Sequence, residues 1–372
     1  MKYYYKLFLS QLALLLCLGA GALSATAQTN DRLYVSGNLD FNPGGDTETQ
    51  YFAVNIADAS MDYVAYQVDI VLPDGLQLAY YDGEPDIYID DITIYPTNRS
   101  KVPYHSLAIK VNKDHIRVLC ADIDGNRALK AKSGELFLVG VVASPYLKPG
   151  DVKVQLRNIT LSDINSQGPE FDAVEPASVG TASTTSTLTL KVSAGNKFST
   201  AILPFDAELP VGLEAYSCAS TNGDNLVLTS QTSMKAFTPY ILYAPNGYEG
   251  TLTGTVDAEK YAKQVTEGYL TGTVVAYEVT GGEGHYVLQN QGEGPMFYRV
   301  GDTSFGIPAG KCWLTLPASQ HSVSALQLHR STGIETIPVH IINSDAVYDL
   351  SGRRITNPTK GIYIVGGKKV LK

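Results

Sequence analysis

Glu84, Asp86, Asp90 and Asp91 crowd into the stretch Asp82-Gly-Glu-Pro-Asp-Ile-Tyr-Ile-Asp-Asp91. Hydrolysis of a glycosidic bond would need two such carboxylates held at a defined separation, one with a raised pKa. Acids spaced this closely beside Gly83 and Pro85 read instead as a solvated loop. The other chemistry open to them is cation binding, since calcium takes clustered carboxylate and carbonyl oxygens, here from Asp86, Asp90 and Asp91. Directly before this stretch stand Tyr80 and Tyr81. Their rings could stack on a sugar through an apolar face and polarised C–H groups, or could simply cover the edge of a sheet.

Asp122-Ile-Asp-Gly-Asn126 raises the calcium question again. A calcium-binding loop of the helix–loop–helix kind needs oxygen ligands at its first, third and fifth positions and glycine at the sixth. Here Gly125 stands fourth and no glutamate closes the loop. Asp-Gly between two strand-like runs is a turn signal instead. The histidines, His105, His115, His285, His321, His329 and His340, show neither His-x-x-x-His spacing nor a Cys-x-x-Cys companion, which argues against zinc. There is no Gly-x-Ser-x-Gly elbow, and Gly281-Gly-Glu-Gly284 lacks the Lys-Ser/Thr of a phosphate loop and reads as a turn.

The elements that must position these residues are strands. Phe52, Val54 and Ile56 alternate, as do Val64, Tyr66, Val68, Ile70 and Leu72 before the turn Pro73-Asp-Gly75, and Leu107, Ile109 and Val111. Period two means one face buried and one wet. Further runs at 116–121, 136–142 and 152–159 make about eight strands in the first domain, enough for a β-sandwich. The composition agrees: 34 Gly, 18 Pro and 24 Tyr, with 17% charged residues, punctuate the chain too often for long helices. The expected fold class is all-β. It comprises an N-terminal sandwich over 28–170, a Ser/Thr/Gly linker over 171–187, a second all-β domain over 188–330 and a β tail over 331–372.

Both ends speak of export. Residues 1–27 have a basic start (Lys2, Lys6), an apolar run from Leu7 to Leu23 and the small-residue site Ala25-Thr26-Ala27, the pattern of a cleavable signal peptide. A lipid anchor at Cys17 would want a small residue where Leu16 stands. With its leader gone the chain is not expected to be an integral membrane protein. Its formal charge of −9 becomes −11 when the two lysines leave, which argues against nucleic acid as a partner. Of the cysteines beyond residue 27, Cys120 shares a strand face with Ile116 and Val118 and reads as a buried thiol. Cys218 and Cys312 could pair in an oxidising compartment or stay reduced.

At the far end, Val347-Tyr-Asp-Leu-Ser-Gly-Arg-Arg-Ile355 and Lys360-Gly-Ile-Tyr-Ile-Val-Gly-Gly-Lys-Lys-Val-Leu-Lys372 resemble the end of the C-terminal sorting domain of type IX secretion substrates, in shortened form. The resemblance implies delivery to the medium or the outer cell surface. Tyr63-Val-Ala-Tyr-Gln-Val-Asp-Ile-Val-Leu-Pro-Asp-Gly-Leu76 and Gly134-Glu-Leu-Phe-Leu-Val-Gly140 resemble the cohesin-like and carbohydrate-binding-module-like sandwiches of secreted bacterial proteins. That fold hosts dockerin binding, polysaccharide binding and plain adhesion, and no short motif assigns its binding residues. The second domain is similar to an all-β module found before such sorting tails. The expectation is therefore a secreted or surface-attached, non-catalytic protein that binds a glycan or an extracellular protein. The alternatives are a structural adhesin or matrix subunit, and a polysaccharide hydrolase without a recognisable motif.

Overall fold

Phe52, Val54 and Ile56 project from one strand and Tyr66, Val68 and Ile70 from another, and each set needs an apolar surface opposite. In the computed structural model of this chain the two sets supply one core. The structure describes residues 31–45, 48–57, 59–80, 92–97, 105–282, 284–320, 323–329, 347–348, 354–356, 362–365 and 368–371. Among them there is no α-helix, only a short 3-10 turn at Ala318–Gln320. The all-β expectation holds.

Among the described residues twelve strands build the first domain: β1 (Arg32–Ser36), β2 (Leu39–Phe41), β3 (Gln50–Ala57), β4 (Tyr63–Val71), β5 (Leu76–Leu78), β6 (Ile94–Pro96), β7 (His105–Val111), β8 (Ile116–Asp122), β9 (Gly134–Ala143), β10 (Gly150–Asp163), β11 (Glu170–Ala173) and β12 (Ala177–Ala182). One sheet runs β1-β3-β9-β5 with β6 also on β9, and the other runs β2-β12-β10-β4-β8-β7 with β11 on β10. The rings of Tyr66 on β4 and Phe137 on β9 stack across the gap, 5.9 Å between centroids and 10° from parallel. Each fully buried Val, Ile, Leu or Phe in this core contributes about 1.5–3 kcal/mol.

The segment expected as a linker is instead part of the sheets. Residues 171–187 supply most of β11, all of β12 and the start of β13 (Thr185–Val192). Its Ser and Thr residues suit a strand as well as a linker. Gly180 is there for close approach, because a Cβ at that position would lie 2.1 Å from the Leu39 carbonyl oxygen of the parallel neighbour β2.

The second domain adds β14 (Phe198–Ile202), β15 (Ala207–Glu208), β16 (Glu214–Asn222), β17 (Asn225–Gln231), β18 (Ser233–Met234), β19 (Pro239–Tyr243), β20 (Tyr248–Thr255), β21 (Gln264–Glu267), β22 (Leu270–Thr273), β23 (Tyr277–Val279), β24 (His285–Asn290), β25 (Pro295–Arg299), β26 (Phe305–Ile307), β27 (Lys311–Thr315) and β28 (Ala325–His329). Ten of them form one sheet with β14 at an edge and β27 eighth in order. The sheet curls until β14 meets β27. Cys312 N–H donates to Thr200 Oγ1 at 3.0 Å, Ile202 N–H donates to the Gly310 carbonyl at 3.2 Å, and Lys311 Nζ donates to Ser199 Oγ at 3.0 Å.

The two domains are locked together by Tyr146, from the loop between β9 and β10. It is buried in the second domain's core, its hydroxyl donates to the Ile202 carbonyl at 3.0 Å, and its own carbonyl accepts from Tyr261 Oη at 3.0 Å. Ser186 Oγ donates to the Pro145 carbonyl at 2.6 Å, and Thr187 N–H donates to that of Pro43 at 2.8 Å. Chain contacts accordingly gather residues up to Leu328 into one compact unit and His329–Lys372 into another. Within that second unit β29 (Val347–Tyr348), β30 (Arg354–Ile355), β31 (Ile362–Val365) and β32 (Lys368–Leu371) make an antiparallel sheet in the order β30-β29-β31-β32.

Candidate ligand-binding face

The outer surface of the first sheet follows from the alternation that builds its core. Phe52, Val54 and Ile56 point inward, so Tyr51 points out, and Leu33 and Val35 inward send Tyr34 out. On β6, Ile94 is buried and Tyr95 is exposed. The result is a row of tyrosines on a wet face, Tyr34 at 38%, Tyr51 at 40% and Tyr95 at 44% exposure.

Tyr51 and Tyr95 act as a pair. Their ring centroids are 6.0 Å apart at 40°, above β9, where Gly140 is opposite Tyr51 and Leu138 opposite Tyr95. Gly140 is required there, since a Cβ would come within 2.3 Å of Thr93 Oγ1. Thr93 fixes the approach of β6 by donating to the Ala79 carbonyl at 2.8 Å. Partial burial, together with the neighbouring Tyr95, raises the Tyr51 phenol pKa, so the Tyr51 hydroxyl stays a neutral hydrogen-bonding group at ordinary pH. At the β1 side the Arg32 guanidinium lies 5.7 Å over the Tyr34 ring, a cation–π contact that holds both side chains down on the sheet. Among the described residues the geometry offers a flat aromatic surface with polar groups at its margin.

Of the residues singled out in the sequence, Tyr80 lies at the margin of this face. It bridges to Ile92, is half-buried against the sandwich core, and its phenol pKa is raised by burial. The bridge sits three residues from Tyr95, so the chain on either side of residues 81–91 meets the sheet beside the tyrosine pair. Tyr81, Asp86, Asp90 and Asp91 lie outside the described residues. Among the described residues no cluster of His, Cys, Asp and Glu has the makings of a metal site.

Asp122–Asn126 is the turn its Asp-Gly implied: Gly125 N–H donates to the Asp122 carbonyl at 3.1 Å. Burial would raise the Asp122 pKa, but amides of Asn126 and Arg127 donating to its carboxylate bring it below the ordinary value. Cys120, Cys218 and Cys312 are buried free thiols. Burial pushes their pKa values up to about 12, 11 and 12 respectively, which makes them inert rather than catalytic. Trp313 is core, 4% exposed and stacked on Tyr277 at 5.3 Å.

Comparison with solved structures returns cohesin modules. A non-cellulosomal cohesin from Archaeoglobus fulgidus is 15% identical, over 38% of this chain and 83% of its own, at a TM-score of 0.27. CaCohA2 from Clostridium acetobutylicum is 17% identical, over 41% of this chain and 88% of its own, at 0.30. The cohesin module of a family 33 glycoside hydrolase from Clostridium perfringens is 10% identical, over 42% of this chain and 100% of its own, at 0.30. No family model and no curated protein matches the sequence. At such scores the description of the fold rests on the strand order itself. No helix among the described residues is long and apolar enough to cross a membrane.

Proposed function

We propose that this is an exported, non-catalytic binding protein whose first domain takes up an extracellular glycan on the outer face of its first sheet. The paired, exposed rings of Tyr51 and Tyr95 carry this reading. Sugar rings stack on aromatic faces through their C–H groups, and a flat open platform suits a chain of them better than it suits a small molecule, which needs a concave site. Tyr80, half-buried at the sheet's margin, and Tyr81 are further candidate contacts for the same ligand. Asp86, Asp90 and Asp91 would hold calcium beside it. A protein ligand is the second reading, favoured by the flatness of the face and its tyrosine content.

Export rests on residues 1–27 and delivery on the sorting-like tail. A periplasmic reporter fused to residues 331–372 should reach the surface or medium of a type IX-competent host. For the binding face, a glycan array with wild type and with Tyr51→Ala and Tyr95→Ala chains is decisive. Each substitution should weaken binding by roughly 2–10-fold, the loss of one aromatic contact of about 0.5–1.5 kcal/mol. Undiminished glycan binding by the double variant would remove this face from the reading.

A further inference from the structure

Among the described residues β7 is the longest edge strand of the two first-domain sheets. It runs seven residues, against five for β1, four for β11 and three each for β2, β5 and β6. β8 pairs with it on one side, and the order of the described strands ends there. A row of unpaired backbone groups is a template for another strand, so edges are commonly blunted by proline, a bulge or an inward-pointing charge. β7 carries none of these. His105-Ser-Leu-Ala-Ile-Lys-Val111 has no proline, and its pairing with β8 runs from His105↔Asp122 to Val111↔Ile116 without a register shift. Lys110 alternates with the inward Leu107 and Ile109 and so lies on the outer face, while burial lowers the pKa of His105 and keeps that inward ring neutral.

The turn after β7 decides which of its backbone groups are free. Asn112 N–H donates to the His115 carbonyl at 2.9 Å, which makes 112 and 115 a hydrogen-bonded pair. Bonded and non-bonded pairs alternate along an antiparallel ladder. Ser106, Ala108 and Lys110 therefore direct N–H and C=O to β8, whereas His105, Leu107, Ile109 and Val111 aim theirs away from it. The side chains of those same four residues share the inward face. Leu107 and Ile109 pack on the sandwich core yet are only half-buried, and Val111 is 44% exposed, so the core is left unfinished along this edge.

We infer that the β7 of a second copy completes the edge, running antiparallel and centred on Ala108. In full overlap every free group meets a free group: His105 stands opposite the partner's Val111 and Leu107 opposite the partner's Ile109, each such pair exchanging two hydrogen bonds. Leu107 and the partner's Ile109 join the two cores across the boundary. On the outer face Ser106 meets the partner's Lys110, so no like charges oppose each other. Ala108 meets the partner's Ala108 on the axis, where a small side chain suits the close Cα approach of a non-bonded pair, about 4.5 Å.

Such a contact is self-complementary, so it closes as a two-fold dimer and uses up both edges. Its axis is perpendicular to the joined sheet, because inward residues stand beside inward residues. Both first sheets then lie on one side, and both tyrosine faces point the same way. Two weak glycan sites facing one surface raise avidity, a consequence that rests on the proposed glycan face, whereas the dimer does not. A seven-residue edge falls short of the roughly 1,200–2,000 Å² of a standard interface, so the dissociation constant is micromolar or weaker.

Sedimentation velocity of the purified full chain from about 1 to about 500 μM, without glycan, tests this. Wild type should pass from monomer to dimer and stop. Ile109→Pro deletes an N–H that β8 does not use, as edge strands tolerate, and with it one intermolecular bond per copy; the dissociation constant should rise at least about fivefold. Ala108→Glu and Ala108→Lys, at a half-buried position on the outer face, set like charges against each other and should each weaken the dimer by up to about fivefold. Mixed, these two should form a one-to-one dimer tighter than either alone, and only a register that brings Ala108 to the axis gives that rescue. Unchanged far-UV circular dichroism shows that each variant folds, and the charge pair decides the matter if the proline variant does not. A wild type that stays monomeric over this range overturns the inference and leaves the edge to an extended segment of another protein. Growth beyond a dimer, or a mixture no tighter than its components, overturns it as well.

Discussion

Tyr146 is the residue whose loss should divide the molecule. Its ring is 4% exposed among side chains of the second domain, yet it belongs to the first. Truncating a buried aromatic to alanine costs about 3–5 kcal/mol. Tyr146→Phe isolates the hydroxyl. The Ile202 carbonyl that accepts it stands opposite Pro239, which has no N–H to offer, so phenylalanine leaves this acceptor without its donor at a cost of about 1–3 kcal/mol. Because the chain has a single tryptophan, Trp313, its fluorescence reports the second domain, while far-UV circular dichroism reports both. In urea the wild type should give coincident curves. Tyr146→Ala should separate them, with the tryptophan transition displaced from the overall loss of strand. Coincident, unshifted curves for Tyr146→Ala would show that the domains are coupled by something else and refute this assignment.

Three further outcomes follow from single positions. Asp69 is 1% exposed and receives a bidentate pair from Arg117, both bonds 2.7 Å, and a third bond from Asn158 at 2.7 Å, so Arg117→Met should cost about 3 kcal/mol by stranding a buried carboxylate. Burial alone would raise the Asp69 pKa, but these bonds hold it below the usual 3.8; the group therefore stabilises the fold above that pH and loses its contribution as pH falls through the lowered value. Unfolding free energy measured against pH should fall less steeply below pH 3.8 in Arg117→Met, and an unchanged slope would count against the pairing. Gly180→Ala puts a Cβ against the Leu39 carbonyl and should cost about 1–3 kcal/mol, with amide-exchange protection lost over 39–41; full protection there would mean that β2 does not depend on this approach. Cys120, Cys218 and Cys312 should resist a thiol reagent at pH 8 in the native state and react together on unfolding, and fast native labelling of any one would contradict its burial.

The inward-facing half of the first domain was legible in the sequence because period-two alternation states it directly. Phe52, Val54, Ile56, Val68, Ile70, Val118 and Cys120 are all in the core. The ligand face was legible in principle by the same rule, since Tyr51 is out of phase with Phe52, Val54 and Ile56. What period two does not state is which outward residues meet: Tyr51 and Tyr95 are 44 residues apart, and only the strand order β3-β9-β6 brings them together. Tyr146 had no signal at all. Its loop, Ser144-Pro-Tyr-Leu-Lys-Pro-Gly150, reads as a surface turn, and its hydrogen-bond acceptor is 56 residues away. The Ser/Thr/Gly stretch misled for a related reason: composition reports flexibility only where nothing pairs with the backbone, and pairing is long-range information.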